Sequence, residues 1–587
     1  MKTTRRTFLG TFGLGAAASL VGPAAFAAPK RPLFRVGLLT DTHIHDNPKS
    51  CDRVEKAMRL LKREKVDVIC HLGDLANEFA PHGFEEYRRQ LDLAFGDKTP
   101  LTLYAFGGHD RNGYKLKPGE KNREESVFAI MREKMKIPHD LCDIVDFKGY
   151  KFVILQEYFS LKTAEELVEK AIAANRPGRP VFVLEHEPAW NTTCDSVVWG
   201  NRKILSVLSK HPEVVHFSGH NHCSLRDERT IWQGAFTEVN LGCLDYWGGE
   251  EANFATRRND WKPKAGHTVA VMDVFPGALV IHRFSINDGA ECRPLDPWTL
   301  PVPLDATKGA YRPSARKAKS KPPVWTKGAA LAVEWKTDGL FRGYTLSFPE
   351  AKHRDETFRY TAELFEKKAG AWARVTLKER MGEFWKNPGS ARSKAITIDF
   401  PDGYFTAGGD YRFAVKPMDF YGNFGKPLVV EVTAPDFAAE AEPVWRSAEP
   451  MKECRITTHN WGRDRKEVPI GADGFAEVKG DMASVDLPGA ATIAAEEPAG
   501  TTYRLSYTLE DEHAEGTGWL VQNENAATGK RLGFRYLQSV QGKAGPIRYV
   551  TYLVKPDAAA LPVRIGFMYG DRGSRLRFTD LTLEKLK

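Results

Sequence analysis

The sequence predicts an α/β domain followed by two all-β sandwich domains, and three observations support this prediction. From Leu33 to about residue 300, short apolar runs alternate with segments of helical periodicity, which is typical of crossover units in an α/β sheet. After residue 324 the helical period disappears, and short alternating runs punctuated by Pro, Gly and Asp replace it. The chain has 587 residues, enough for about three domains of ~100–200 residues each.

The first domain is expected to span residues 31–300. Its helices are predicted from i, i+3, i+4, i+7 apolar spacing over residues 52–64 and again around residues 167–172. Its strands are predicted from short apolar runs at residues 34–39, 66–72, 101–106, 151–156, 180–184, 214–217 and 236–241. This alternation indicates strands joined by helical crossovers.

Two segments rich in Pro, Lys or Ala are predicted to be linkers, at residues 301–324 and 436–449. Between them, residues 325–435 read as a β-sandwich, and residues 410–433 resemble the end of a fibronectin type III domain. Residues 450–587 are also predicted to be all β, and residues 576–583 resemble the last strand of carbohydrate-binding jelly-roll modules. The partner expected for these β domains is a glycan or a cell surface. Three aromatic residues are candidates for a sugar platform or for the core: Trp519, Tyr536 and Tyr569.

Residues 1–27 are predicted to be an export signal. Basic residues precede an apolar run, and Ala25-Phe26-Ala27 gives an A-x-A cleavage pattern. Residues 3–9, with Arg5 and Arg6, resemble the twin-arginine signal of bacterial export, which implies a periplasmic or secreted protein. The alternative is an uncleaved amino-terminal anchor. No other stretch reaches the ~18 apolar residues that a membrane-spanning helix needs.

Composition excludes several classes of protein. Hydrophobic residues make up 42% of the chain, which argues against wholesale disorder. The 84 Lys and Arg residues nearly balance the 76 Asp and Glu residues, so the chain is not a nucleic-acid-binding polycation. Eight cysteines are too few for a disulfide scaffold of this length, and their pairing is left open.

Five short polar segments in the first domain follow predicted strands. Because the carboxyl ends of parallel strands meet at one edge of a sheet, segments far apart in sequence are expected to converge there. Carboxylate and imidazole groups are the ligands of cations such as Zn, Mn and Fe. The segments are Asp41-Thr42-His43, residues 73–77 around Asp74, Gly107-Gly108-His109-Asp110, residues 185–188 around His186, and Gly219-His220-Asn221-His222.

The order and spacing of these segments resemble the calcineurin-like metallophosphoesterase superfamily, over residues 33 to about 285. The resemblance implies a two-sheet αββα sandwich that binds two divalent or trivalent metal ions (Mn, Fe or Zn). Asp74 would bridge the two ions. The first ion would be held by Asp41, His43 and His222, and the second by His186 and His220.

The resemblance also implies a reaction. A hydroxide bridging the metals would attack phosphorus in line, so the chain is expected to be an exported phosphoesterase. His109, oriented by Asp110, would protonate the leaving oxygen or stabilise the transition state. Neither a phosphodiester nor a phosphomonoester is favoured by the sequence.

Gly108 departs from the family pattern. The family places an Asn here that ligates the second metal, whereas Gly108 has no side chain to offer. The second site is therefore expected to be weaker, with water, substrate, Asp46 or Asn112 filling the gap. The alternative function is a catalytically weak or silent scaffold that acts as a surface- or glycan-binding protein.

Substrate contacts are expected from loops around the metal site. Arg111 would pair with a phosphate oxygen, and Trp190 or Trp247 would stack on a base or a sugar. His45, which follows the first strand, is the remaining candidate.

Overall fold

The structure is a computed structural model. It describes residues 31–45, 48–245, 266–338, 341–386, 392–437, 441–460, 463–480, 482–512, 520–530, 532, 537–538, 544–568 and 574–586. The predicted export signal at 1–27 lies outside the described residues, as do Asp46, Trp247 and the three aromatic candidates Trp519, Tyr536 and Tyr569.

The first domain alternates strands and helices in chain order. Its strands are β1 (Phe34–Leu39), β2 (Val68–Leu72), β3 (Leu101–Ala105), β4 (Asp143–Phe147), β5 (Tyr150–Ile154), β6 (Val181–Leu184), β7 (Val214–Ser218), β8 (Ile231–Gln233), β9 (Thr237–Asn240), β10 (Thr268–Phe275), β11 (Ala278–Ser285) and β12 (Trp298–Pro301). Its helices are α1 (Pro48–Arg63), α2 (Pro81–Phe95), α3 (Gly108–Arg111), α4 (Arg123–Met135), α5 (Leu161–Ala173), α6 (Ser196–Trp199) and α7 (Arg202–Leu208).

These strands form two six-stranded sheets that pack face to face. The first sheet has the order β12-β11-β10-β1-β2-β3, and the second has the order β4-β5-β6-β7-β9-β8. Strands β1, β2 and β3 run parallel, as do β5, β6, β7 and β9. Apolar side chains of both sheets, such as Val36, Val68, Phe182 and Val215, share one buried core.

Helices cover the outer face of each sheet. Residues of α1, α2 and α4 pack against the first sheet, and residues of α5 and α7 pack against the second. The central strands are buried along their whole length, as expected for parallel strands covered on both faces. The layers are therefore αββα, and the predicted fold class is confirmed.

The two segments predicted as linkers contain regular structure. Helix α8 (Pro313–Lys319) lies within residues 301–324, and its Arg316 donates hydrogen bonds to Glu228 of the first domain and to Tyr421 of the next. Strand β20 (Ala441–Ser447) begins within the second segment and pairs with the last strand of the chain. Pro and Lys in the first segment, and Ala, Glu and Pro in the second, indicated linkers, but tertiary partners hold α8 and β20 in place.

The remaining residues form all-β structure in four sheets. The strands of the middle part are β13 (Ala332–Asp338), β14 (Phe341–Phe348), β15 (Arg359–Lys368), β16 (Ala371–Met381), β17 (Ile396–Pro401), β18 (Asp410–Met418) and β19 (Leu428–Thr433). The last part adds helix α9 (Pro450–Glu453) and β21 (Arg455–Asn460), β22 (Arg463–Glu467), β23 (Ala476–Glu477), β24 (Met482–Asp486), β25 (Thr502–Glu512), β26 (Leu520–Asn525), β27 (Leu537–Gln538), β28 (Ala544–Val554), β29 (Val563–Met568) and β30 (Arg575–Leu586).

Each β part is a pair of facing sheets. In the middle part, β13-β14-β17 faces β16-β15-β18-β19, and both sheets contribute to one core that includes Leu346 and Phe413. In the last part, β20-β30-β25-β28, with β23 beside β30, faces β22-β21-β24-β29-β26-β27. Their shared core includes Leu505 and Ile565. Alternating burial along the first residues of β30 is typical of sandwich strands.

No helix within the described ranges is long and apolar enough to cross a membrane. None of the eight cysteines, all of which lie in the described ranges, forms a disulfide, and six of them are buried.

A buried arginine joins the first domain to the middle β-sandwich. Arg226 is 1% exposed and donates hydrogen bonds to Glu356 Oε1 (2.9 Å), to the Phe384 carbonyl (2.6 Å) and to the Arg293 carbonyl (2.9 Å). A buried guanidinium group with three acceptors fixes the packing of the two parts more firmly than an exposed ion pair does.

Replacing Arg226 with Met should therefore destabilise the protein by about 3 kcal/mol, because two carbonyl groups and a carboxylate lose a buried donor. Thermal unfolding followed by calorimetry measures this loss. Arg354→Met is the matched control, since Arg354 pairs with Asp296 at the surface with 73% of its side chain exposed. The control should cost less than about 1 kcal/mol. Equal changes for the two variants would contradict the role given to Arg226.

Candidate metal centre

The candidate site lies where loops from both sheets meet at the carboxyl ends of their strands. Backbone hydrogen bonds tie these loops together. The Asp41 N–H donates to the Gly73 carbonyl (3.1 Å), and the Gly219 N–H donates to the His186 carbonyl (2.8 Å). The Glu157 N–H crosses between sheets to the Phe106 carbonyl (3.1 Å). The convergence predicted from strand order is therefore present in the structure.

The first group of ligand atoms belongs to Asp41, His43 and His222. His222 Nε2 lies 3.1 Å from Asp41 Oδ1, and His43 Nε2 lies 3.6 Å from the same oxygen. The two imidazole Nε2 atoms are 3.2 Å apart. All three side chains are buried, with exposures of 5% or less.

The second group belongs to Asp74, His186 and His220. Asp74 Oδ2 lies 3.1 Å from His186 Nε2, and His186 Nε2 lies 3.2 Å from His220 Nδ1. Asp74 Oδ2 is also 3.8 Å from His43 Nε2, so this carboxylate lies between the two groups. Within each group, the ligand atoms lie within 4.8 Å of one another.

These residues fit the two cations that the sequence implies. Asp41 Oδ1 is buried against the Nε2 atoms of His222 and His43, at 3.1 and 3.6 Å. Imidazole nitrogens that face each other at 3.2 Å need either a shared proton or a cation between them. Burying unpaired carboxylate oxygens is unfavourable unless positive charge compensates them. Asp41, His43 and His222 would hold one cation, and His186 and His220 would hold another, with Asp74 between them.

Hydrogen bonds to carbonyl groups fix the orientation of two imidazole rings. His186 Nδ1 donates to the Leu72 carbonyl at 2.7 Å, which leaves its Nε2 lone pair directed at the site. His109 Nδ1 donates to the Asn77 carbonyl at 2.6 Å. The His109 ring packs edge-on against His43, with ring centroids 4.7 Å apart, so it lies beside the first ligand group.

Neighbouring side chains in the site shift one another's pKa values. Burial raises the pKa of Asp41, but the His222, His43 and His186 imidazoles together hold the pKa well below its usual range. Burial also raises the pKa of Asp74, but the nearby imidazoles, His186 foremost, lower it below its usual value. Burial opposes protonation of His186, but the Asp74 carboxylate raises the pKa of His186 well above its usual value. Burial and the adjacent His186 lower the pKa of His220 to about 3. The site is thus built to hold ionised carboxylates beside positive charge.

Five of the six predicted ligands have left-handed backbone. Their φ values are 50° for Asp41, 39° for His43, 51° for Asp74, 69° for His220 and 53° for His222. This conformation costs roughly 1–2 kcal/mol for a residue with a Cβ. Such outliers cluster at functional sites, where the surrounding structure over-determines them.

Asp110 does not orient the His109 ring as expected. Its Oδ1 accepts from the Leu75 and Ala76 N–H groups at 2.9 and 3.0 Å, and its Oδ2 accepts from the Gly107 N–H group at 3.1 Å. Burial raises the pKa of Asp110 to about 7, with Asp74 adding to the shift. Asp110 therefore holds the loop backbones that follow β2 and β3. The Asn77 carbonyl orients His109 instead.

The predicted substrate residues lie in different environments. Arg111 stacks on the Tyr158 ring at 3.5 Å and pairs with Glu124, so it forms part of the wall beside Gly108. His45 lies 3.9 Å from Asp245, near the loop that follows β9.

Trp190 packs under Arg202 at 3.5 Å and donates to the Val197 carbonyl. Trp199, which sequence reasoning missed, packs edge-on against the His220 ring, with centroids 5.6 Å apart. No sequence pattern distinguishes these two tryptophans.

Glu157 is the second residue that sequence reasoning missed. It follows β5 and is buried, and its Oε2 lies 4.0 Å from His186 Nε2. Burial raises its pKa, whereas His186 lowers it. Asn112, one of the residues expected to fill the gap left by Gly108, has an exposed side chain. The sequence did contain a pattern that could have identified Glu157, because this acidic residue directly follows the predicted strand at 151–156.

The fold and the paired ligand groups define a metal-dependent phosphoester hydrolase as the class of this chain. Residues 34–224 match the family model described as calcineurin-like phosphoesterase. The family resemblance is therefore confirmed for residues 34–224 of the first domain.

Similar solved structures include a dimetal phosphatase from Danio rerio, 13% identical, with a TM-score of 0.32, covering 46% of this chain and 98% of that chain. Purple acid phosphatase from yellow lupin is 17% identical, with a TM-score of 0.33 and coverages of 47% and 55%. The amino-terminal cellulose-binding domain of a Cellulomonas fimi glucanase is 18% identical, with a TM-score of 0.18 and coverages of 25% and 99%. No curated protein sequence matches the chain.

Gly73→Ala should lower the metal content below that of the wild-type protein. Gly73 has φ +91°, and a Cβ there would lie 2.7 Å from His186 Nδ1 and 2.9 Å from the Gly107 Cα. The loop backbone has to shift, which displaces His186 and Asp74. Metal analysis of the purified protein measures the effect.

Gly113→Ala is the matched control. Gly113 has a similar φ of +84°, but a Cβ there meets nothing within 4 Å. This variant should lose stability through backbone strain while retaining the wild-type metal content. An unchanged metal content in Gly73→Ala would contradict the close packing described for this loop.

Proposed function

We propose that the chain is an exported binuclear phosphoesterase, with Asp41, His43 and His222 as ligands of one ion and His186 and His220 as ligands of the other. Asp74 would bridge the ions, which we expect to be Mn, Fe or Zn. The single observation that carries this proposal is the position of Asp74 Oδ2, which lies 3.1 Å from His186 and 3.8 Å from His43. Bound cations would supply Lewis acidity, which activates water and neutralises phosphoryl oxygens.

His109 is proposed as the catalytic residue. Its Nδ1 is committed to the Asn77 carbonyl, so a proton exchanged with substrate would be carried on Nε2. The imidazole lies beside His43 at the rim of the ligand groups, where a leaving oxygen can be reached. It would protonate that oxygen or donate a hydrogen bond to the transition state. Asp110 acts as a positioning residue through the backbone groups that it binds.

The substrate is proposed to be a phosphoester, either a diester or a monoester. Arg111 supports this proposal, because its guanidinium group lies over Tyr158 on the wall beside Gly108 and carries the charge that a phosphate recognises. His45, Trp190 and Trp247 stay proposed contacts. The signal at residues 1–27 supports export by the twin-arginine route.

The second candidate function is a silent metallophosphoesterase scaffold whose β domains bind a glycan or a cell surface. One observation favours a ligand on the last domain. A groove there is lined by polar and apolar residues together, including His459, Lys466, Ile470 and Phe475, and the Ile470 side chain is exposed. Mixed linings of this kind suit sugars, which present both hydroxyl groups and apolar faces.

His109→Ala should lower kcat about 100- to 10,000-fold with little change in KM, because the proton transfer is lost and the ligand groups stay intact. Hydrolysis of chromogenic phosphodiesters and phosphomonoesters, with added Mn or Zn, measures this. Metal content should stay at two ions per chain. Asn112→Ala is the control, since Asn112 is exposed on the same loop, and its kcat should match that of the wild-type protein.

Two metal ions per chain with no hydrolysis of either ester would favour the scaffold over the enzyme. Binding of the same protein to a panel of immobilised polysaccharides would then test the groove on the last domain.

A further inference from the structure

Gly108 leaves room that the Glu157 carboxylate occupies. A Cβ built on Gly108 would lie 2.9 Å from Glu157 Oε1, 3.0 Å from Glu157 Oε2 and 3.0 Å from the Tyr158 hydroxyl. These distances are too short for unstrained contacts. A longer side chain at residue 108 and the present position of Glu157 therefore exclude each other.

The backbone fixes Glu157 in this position. Its N–H donates to the Phe106 carbonyl, two residues before Gly108, which joins the loop after β5 to the loop after β3. Strand β5 pairs in parallel with β6, the strand that precedes His186. Glu157 and His186 thus both follow the carboxyl ends of neighbouring parallel strands.

The carboxylate of Glu157 points toward the second ligand group. Only 7% of its side chain is exposed, and Oε2 lies 4.0 Å from His186 Nε2, the atom that also contacts Asp74. The Tyr158 hydroxyl and the Gly108 N–H group lie against the carboxylate, but Oε2 has no hydrogen-bond partner among the described residues. A buried carboxylate oxygen in this state needs a cationic partner.

We propose that Glu157 is a ligand of the second metal ion and replaces the side chain that Gly108 lacks. The second site would then comprise Asp74, His186, His220 and Glu157, with a carboxylate where the family has a neutral amide. This inference rests on the proposed binuclear centre. The added negative charge favours a hard cation such as Mn²⁺ or Fe³⁺, and it makes the second site stronger than the sequence alone suggests.

Removing the carboxylate should weaken the second site selectively. In Glu157→Ala, the apparent affinity for the second Mn²⁺ should fall at least about 10–100-fold, while the first Mn²⁺ binds as in the wild-type protein. Calorimetric titration of Mn²⁺ into the metal-free full chain measures both affinities. The electron paramagnetic resonance signal of the coupled Mn²⁺ pair should disappear at metal concentrations that saturate the wild-type protein. Glu157→Gln, which has the same shape, should weaken the site less and guards against misfolding of the alanine variant.

The double variant Gly108→Asn with Glu157→Ala should restore the second site, because it moves the ligand to residue 108 and clears the space that it needs. Glu187→Gln is the matched control. Glu187 is the neighbour of His186, but its carboxylate accepts a hydrogen bond from Asn201 at 2.9 Å. This variant should bind both ions as the wild-type protein does.

Wild-type affinity for both ions in Glu157→Ala, or equal weakening in Glu187→Gln, would overturn the assignment of Glu157. Binding of only one ion by the wild-type chain at saturation would also overturn it. Failure of the proposed function looks different. In that case the wild-type chain binds two ions, Glu157→Ala loses one of them, and neither protein hydrolyses a phosphoester.

Discussion

Backbone hydrogen bonds between the loops at the strand ends, both within each sheet and across the two sheets, are the interactions on which the site depends. The bonds from Asp41 to Gly73, from Gly219 to His186 and from Glu157 to Phe106 bring strand ends from both sheets to a common edge. They also bring carboxylate and imidazole groups into a space where water is largely excluded. The charge in that space must be balanced locally, so the imidazoles lower the pKa values of Asp41 and Asp74, and the Asp74 carboxylate raises the pKa of His186.

Close packing of these loops requires small residues and tolerates strained backbone. A Cβ on Gly107 would clash with Asp74 Oδ1, and a Cβ on Gly219 would lie 2.6 Å from Asp41 Oδ2. Five of the six candidate ligands take up left-handed backbone conformations, which cost free energy. The buried cores on both sides of the sheets stabilise the domain enough to hold this strain.

The β domains are attached to the first domain through specific buried contacts. Arg226 reaches the middle sandwich at Glu356, and Arg316 of α8 bonds to both Glu228 and Tyr421. The middle and last sandwiches contact each other through Arg504, which lies 3.1 Å from Asp402. Charged groups buried at such contacts set relative positions more than they add stability.

The sequence by itself determined the fold class, the positions of the strands and the side chains that converge on the candidate site. Apolar periodicity located every strand that precedes a candidate ligand to within about two residues, because the strands are buried on both faces and read as continuous apolar runs. The order of the Asp and His segments predicted which side chains meet, because parallel strands direct their carboxyl ends to one edge. The fold class followed from these local patterns, and the division of the side chains into two candidate ligand groups followed from the family resemblance.

The tertiary structure alone decided the roles of Asp110, Asn77 and Glu157. Asp110 is adjacent in sequence to His109, but its carboxylate accepts hydrogen bonds from backbone N–H groups. The Asn77 carbonyl, 32 residues away in sequence, orients the His109 ring. Glu157 lies beside Gly108 although 49 residues separate them in sequence, because a hydrogen bond between the two sheets joins their loops. Sequence spacing fixes contacts within a strand or a helix, whereas a gap left by a missing side chain is filled by whatever residue the packing of distant elements places there.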